Sequence, residues 1–421
     1  MNATVHWYFD EDARRAEELL LSRRARRGLG WASRGQRWAV RVLMGLALLV
    51  VVISLGREYL VWEESRMRIV ISQSVQREAW AWHRLDYAAV TASLDPDARE
   101  DWVRWHTNYQ QGRRNWAGRD ARQPQVSVGT IEFLGRGRAL VEVRLTAAEV
   151  PDVEAYREYR IYRNLAGEWL RTSTDTALWG AENEQTVRSF HFVYNAQDGA
   201  AVEEVVPQVE MIWQNLHDRL GLTLAVEDDP LQIVIQGENV GIGTVRFEGD
   251  RLLLLSPKLT RSPVYEDEAQ TLSRMVSTAL TRQAMDGFMQ GRGFDPRWSV
   301  TYEAALEWLA EDANPLLPRD PKQESGALRK WVAQNGLPRL EDMLEKRTAA
   351  YFWWTGWAST AGHSLVAYGM NTYGADRIDD LIAGLSSAQE WDELTQAVFQ
   401  VSASEFEAGW HDYLRWRYGL D

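Results

Sequence analysis

Val42 to Gly56 reads VLMGLALLVVVISLG and carries no charge. Fifteen helical residues rise about 22 Å, short of a hydrocarbon core about 30 Å thick. Starting the segment at Trp38 lengthens it to about 28 Å, and Arg41 can then snorkel to the interface. Trp38 on one side, and Tyr59 and Trp62 on the other, supply interfacial aromatics. Residues 38–56 are therefore expected to form one transmembrane helix. Residues 1–41 hold nine arginines against five acids. That bias predicts a cytoplasmic N-terminus, an Arg-rich cytoplasmic segment over residues 1–37, and an extracytoplasmic bulk beyond Gly56. The expected place is the cell membrane, crossed once. So long a charged lead does not fit a signal peptide, although Ser54-Leu55-Gly56 keeps cleavage after Gly56 open.

The rest of the composition narrows the chemistry. The net charge is -13 despite the basic start, so the bulk is acidic and nucleic acid is not an expected partner. No cysteine is present. That removes disulfides, Cys-ligated metals and thiol nucleophiles. A second uncharged stretch, Thr348 to Ala375, is rich in Thr, Ser, Gly and His and lacks a continuous Leu/Ile/Val run. It is expected to be a buried helix rather than a second span.

Outward from the membrane, Glu63 to Ser93 has a helical pattern, and Pro96 to Trp116 predicts a second helix after the Asp95-Pro96-Asp97 turn. Strands are predicted at Val126–Leu134, Arg138–Thr146 and Tyr156–Arg163, the third continuing through Trp169–Thr172. Ala139, Val141, Val143 and Leu145 fall on one face of the second strand. A new unit opens with a strand at His191–Tyr194 and a helix at Ala201–Gly221. Strands at Leu231–Gln236 and Asp250–Ser256 follow, and from Glu266 the pattern is mainly helical. The fold class is α+β.

Few residue patterns point to catalysis. Gly237, Gly241 and Gly243 match no nucleotide-loop spacing, and Thr244 to Phe247 is strand-like, so a glycine hairpin is expected. No two of the seven histidines stand three to five residues apart, so a helical zinc pair is absent. Glu303 and Glu307 form an i, i+4 pair that reads as a solvated face.

The order of elements nevertheless resembles a known family. Leu272 to Leu280 (LSRMVSTAL) lies where a HELTHAL-type helix would be. After Trp298, Glu303 to Ala310 (EAALEWLA) resembles that family's EGLAEYLA. Residues 186–421 thus resemble the peptidase MA-like domain of gluzincin zinc metallopeptidases, which implies a mainly helical zincin-like domain with a small sheet. In that alignment Arg274 and Thr278 replace the two histidines, Met275 replaces the catalytic glutamate, and Glu303 alone keeps a ligand position. A zinc hydrolase needs three ligands and a base, so the resemblance implies a degenerate site without metal or cofactor. Arg274 either pairs with Glu303 across the two helices or faces solvent. The apolar faces of the two helices (Leu272, Met275 and Ala279; Ala305, Leu306 and Leu309) are expected to pack.

Residues 63–180 resemble an NTF2-like cone, helices over a curved sheet, whose pocket would be lined by Trp82, His83, Trp105 and His106. The expected function is a membrane-anchored, non-catalytic module that binds or scaffolds a protein or peptide outside the cell. A hydrolase with an unrecognised site and a purely structural envelope protein are the alternatives.

Overall fold

Two compact units emerge, Met1–Ile69 and Val70–Asp421. The computed structural model describes residues 10–84, 86–98, 124–135, 137–147, 156–174, 176–223, 230–237, 245–317, 325–344 and 356–420, and for residues 10–37 the backbone alone. In the first unit everything described belongs to helix α1, Asp10–Arg84, which continues into the second unit. Its leucines and valines between Val42 and Val61 all stand exposed. Among the described residues this is the one helix long and apolar enough to cross a membrane. The aromatic end of the apolar run is locally knit. The Tyr59 and Trp62 rings lie 6.1 Å apart, and Arg66 sits over Trp62 at 5.7 Å.

In the second unit the last turns of α1 bury Ile71, Val75 and Ala81. Asp86 then caps a short helix α2, Tyr87–Ala92, by accepting from the Ala89 amide. The expected helix from Pro96 begins as a 3₁₀ turn, Pro96–Ala98; its continuation lies outside the described residues. Strands β1 (Pro124–Gly135), β2 (Arg138–Ala147), β3 (Tyr156–Leu165) and β4 (Glu168–Thr172) form an antiparallel sheet. The third strand does not run on to Thr172. Ala166 and Gly167, both at positive φ, turn the chain back, so Glu168–Thr172 pairs with Ile161–Leu165. Ala139, Val141 and Val143 are buried as the alternation predicts, but Leu140 and Glu142 on the other face are buried too. Both faces of β2 are covered.

After the single turn α3 (Thr176–Trp179) comes a second sheet. It has the order β5 (Glu182–Val187), β6 (Phe190–Asn195), β7 (Leu231–Gln236), β9 (Arg251–Leu255), β8 (Val245–Glu248). Strands β6, β7 and β9 are parallel, with antiparallel strands at both edges. Helix α4, Gly199–Arg219, makes the crossover from β6 to β7, as parallel pairing requires. Of the expected glycine hairpin, Gly241 and Gly243 lie outside the described residues, and the strands on either side of them, β7 and β8, do not pair with each other. β7 pairs with β9, and β8 turns onto β9 through Gly249-Asp250; residues 238–244 lie outside the described residues.

The remainder is helical: α5 (Glu268–Met289), α6 (Ser299–Ala313), α7 (Ser325–Asn335), α8 (Gly356–Tyr373), α9 (Ile378–Gly384), α10 (Trp391–Phe399) and α11 (Ala403–Tyr418). Helix α8 carries the described part of the second uncharged stretch, and Ala361, Leu365 and Val366 on it are buried as expected. These helices share one apolar core with α4 and with Phe192, Ile233, Ile235, Leu252 and Leu254 of the sheet.

No linker separates the two sheets. Ser262–Pro263 (β10), beyond the second sheet, pairs with Arg157 and Tyr156 at the free edge of β3. The Tyr159 amide donates to the Lys258 carbonyl at 3.1 Å. Trp179, 1 % exposed, packs with Leu140 and Ile161 of the first sheet and lies flat on Gly237 at the end of β7. A Cβ at Gly237 would stand 2.7 Å from Trp179 Cγ and 3.0 Å from Cδ1 and Cδ2. Gly237→Ala is expected to cost about 1–3 kcal/mol, since a buried indole has nowhere to move. Urea unfolding of the full chain checks this.

Candidate functional site

Helices α5 and α6 are the pair singled out by sequence, and both form for readable reasons. Asp267 caps α5 in a reciprocal box with Gln270, the two bonds measuring 2.8 and 3.1 Å. Asp295 caps the Pro296–Trp298 turn that leads into α6. The expected apolar faces meet: Leu272, Met275, Ala279, Ala305, Leu306 and Leu309 are all buried in one core.

Two polar contacts fix how the antiparallel helices slide past each other. The Ser277 hydroxyl donates to the Ala310 carbonyl at 2.6 Å. Four residues earlier, Asn314 Nδ2 donates to Ser273 Oγ at 2.9 Å and to the Ser273 carbonyl at 3.2 Å. In this register Glu303 stands opposite Arg282. Arg282 Nη2 donates to both Glu303 oxygens, at 3.0 and 3.3 Å.

Arg274 does not meet Glu303, and it is not free in solvent either. It lies eight residues before Arg282, about 12 Å along the helix. It makes three hydrogen bonds of 2.9–3.1 Å to Glu266, which is buried just ahead of α5. Met275 is 3 % exposed in the core, and Thr278 is half-buried. Of the expected former-site positions, none of Arg274, Met275 or Thr278 makes a polar contact with Glu303.

The surroundings of Glu303 are built for an ion pair. Burial pushes its carboxyl above the ordinary value; Arg282 opposes that shift and the Asp286 charge adds to it. Beside it, Tyr302 stacks on Phe294 at 4.2 Å, and burial followed by the Asp286 charge pushes its phenol up to about 12. Glu307 and Glu311 continue the same face of α6. They meet Ser359 at 3.4 Å and His363 at 3.0 Å on α8, so the expected solvated face is an inter-helix one. Among the described residues no three His, Cys, Asp or Glu side chains group closely enough to hold a metal ion.

The first sheet holds a second polar centre that the sequence reading missed. Glu78 of α1, 0 % exposed, accepts from Arg171 Nη1 at 2.6 Å, Tyr162 Oη at 2.7 Å and Arg160 Nη1 at 3.4 Å. Arg160 also pairs with Glu158. Burial, then the Glu78 charge, raises the Tyr162 phenol, so its hydroxyl stays a donor. Both Glu78 oxygens are engaged, Oε1 by the two arginines and Oε2 by the Tyr162 hydroxyl. A signal was available. The inward positions of β3 are Glu158, Arg160 and Tyr162, a polar row where a core strand should be apolar. As for the expected pocket, the side chains of Trp82 and His83, and Trp105 and His106 entirely, lie outside the described residues.

Neither the protein-family models nor the curated proteins yield a match to this chain.

Proposed function

We propose that the chain is a membrane-anchored protein whose exterior part is a non-catalytic module of metallopeptidase descent, and that this module binds a protein or peptide outside the cell. The carrying observation is the Arg282–Glu303 pair, at 3.0 Å. It supports sliding the HELTH pattern one turn, onto Thr278-Ala279-Leu280-Thr281-Arg282, where Leu280 and Thr281 keep its third and fourth letters. The first histidine then becomes Thr278, the glutamate becomes Ala279, and the second histidine becomes Arg282. A guanidinium, always protonated, supplies the cation that holds Glu303. The N-terminal arginines support a cytoplasmic N-terminus and one span.

Zinc uptake tests the reading and the register together. The full chain in detergent micelles, exposed to zinc and dialysed, should retain none by elemental analysis. Thr278→His with Arg282→His should take up about one zinc per chain, lost on adding Glu303→Ala, because two histidines at i, i+4 then face a third ligand. Arg274→His with Thr278→His should not. A parent chain that keeps one zinc through Glu303 would overturn the proposal.

A further inference from the structure

The carboxyl of Asp198 touches both sheets at once. Its side chain is wholly buried. Oδ2 accepts from Trp179 Nε1 at 2.9 Å, and Oδ1 accepts from Ser256 Oγ at 2.6 Å. Trp179 is packed into the first sheet's cluster with Leu140 and Ile161. Ser256 follows β9 of the second sheet, its amide bonded to the Gln236 carbonyl at 2.8 Å. We propose that Asp198 is a proton-operated latch across the seam between the two sheets, closing more firmly as the surroundings acidify.

The geometry serves both protonation states. With the carboxyl neutral, the oxygen facing Trp179 remains an acceptor. The other becomes an O–H that donates to Ser256 Oγ, whose own proton turns away. Every bond across the seam survives. With the carboxyl ionised, the same bonds hold an anion away from water, which costs the closed state free energy. Among the described residues the charged groups acting on it are two. Lys258, 3.2 Å from Gln197 and 3.9 Å from Glu268, faces it from the segment after Ser256. Glu268 faces it from the start of α5, with Arg157 and Asp267 acting on Glu268 in turn. Burial dominates, and despite Ser256, Trp179 and Lys258 it pushes the Asp198 carboxyl from an ordinary 3.8 up to about 6. The sign follows. The proton's contribution is complete below pH 3.8 and is lost as pH rises through about 6. The seam is then up to ~100-fold easier to open at pH 8 than at pH 4.

Hydrogen exchange on the full chain in micelles, corrected for intrinsic rates, measures this directly. Peptides covering residues 176–179, 196–199 and 254–257 should show an opening equilibrium about 10-fold larger at pH 7.5 than at pH 5, while residues 403–418 stay level. Asp198→Asn, which mimics the neutral state permanently, should flatten the difference. Lys258→Gln should move the wild-type midpoint upward. Seam peptides in the unaltered chain that follow the same pH profile as residues 403–418 would overturn the latch, whatever the variants do. So would an Asp198→Asn chain that keeps the difference.

Discussion

Glu78→Ala should destabilise the fold by about 3–5 kcal/mol, because it leaves two arginines buried beside a lost partner. Arg160 and Arg171 both donate to the carboxylate that the substitution removes, and Tyr162 loses its acceptor as well. Bulk water does not reach the cluster, since Glu78 is 0 % exposed and Arg160 is 9 % exposed. Glu78→Gln keeps the shape and one acceptor oxygen, so it should lose less than the alanine variant. Urea unfolding in detergent micelles, followed by far-ultraviolet circular dichroism, gives both values. A loss below ~1 kcal/mol for alanine would mean that the cluster is solvated after all.

Trp298→Ala should cost a similar amount, about 3–5 kcal/mol. The indole is 0 % exposed, stands edge-on to Trp391 with centroids 4.8 Å apart, and donates from Nε1 to the Ala388 carbonyl at 3.0 Å. It thereby ties the start of α6 to the loop ahead of α10. Alanine opens a cavity and orphans that carbonyl. Trp298→Phe fills most of the space but still leaves the carbonyl unpaired, and should cost about 1–3 kcal/mol. The alanine variant should also lower the zinc affinity of the two-histidine chain, since Glu303 lies one turn beyond Trp298 on the helix that this residue anchors.

Helices α5 and α6 are legible because their apolar residues recur with helical spacing, and Asp267 caps α5 while Asp295 caps the turn that leads into α6; their faces meet as expected. Their register was not legible. Sliding one antiparallel helix past the other by a turn keeps Leu272, Met275 and Ala279 against Ala305, Leu306 and Leu309 in kind. Apolar contact alone therefore cannot say whether Arg274 or Arg282 stands opposite Glu303. Two small polar contacts decide it, Ser277 to Ala310 and Ser273 to Asn314, and nothing in the letters marks those serines as different from any others on a helix. The strands tell a similar story. Leu231–Gln236 is legible to the residue because β-branched and apolar letters fill its centre. Its pairing with β9 instead of β8 is a long-range choice that local propensity does not encode. Ser262–Pro263 has no strand signature at all, and Pro263 argues against one. The buried ion cluster leaves one trace in the sequence, the shared face of Glu158, Arg160 and Tyr162, but the two charges read as solvent-facing until α1 is seen to cover them.

The pairing of Ser262–Pro263 with Tyr156 and Arg157 has a consequence in time. Ribosomes make the chain from its N-terminus, and about a hundred residues separate these partners in sequence. While those residues are being made, the first sheet exists with part of its rim open and with Trp179 lacking the floor that Gly237 provides. Loops of such length close slowly. The nascent first half thus waits for the second, exposing a strand rim and an indole to any holding factor nearby. A truncated product ending at Gly180 is expected to aggregate rather than fold. Expressing that fragment alone, beside the full chain, would make the dependence visible.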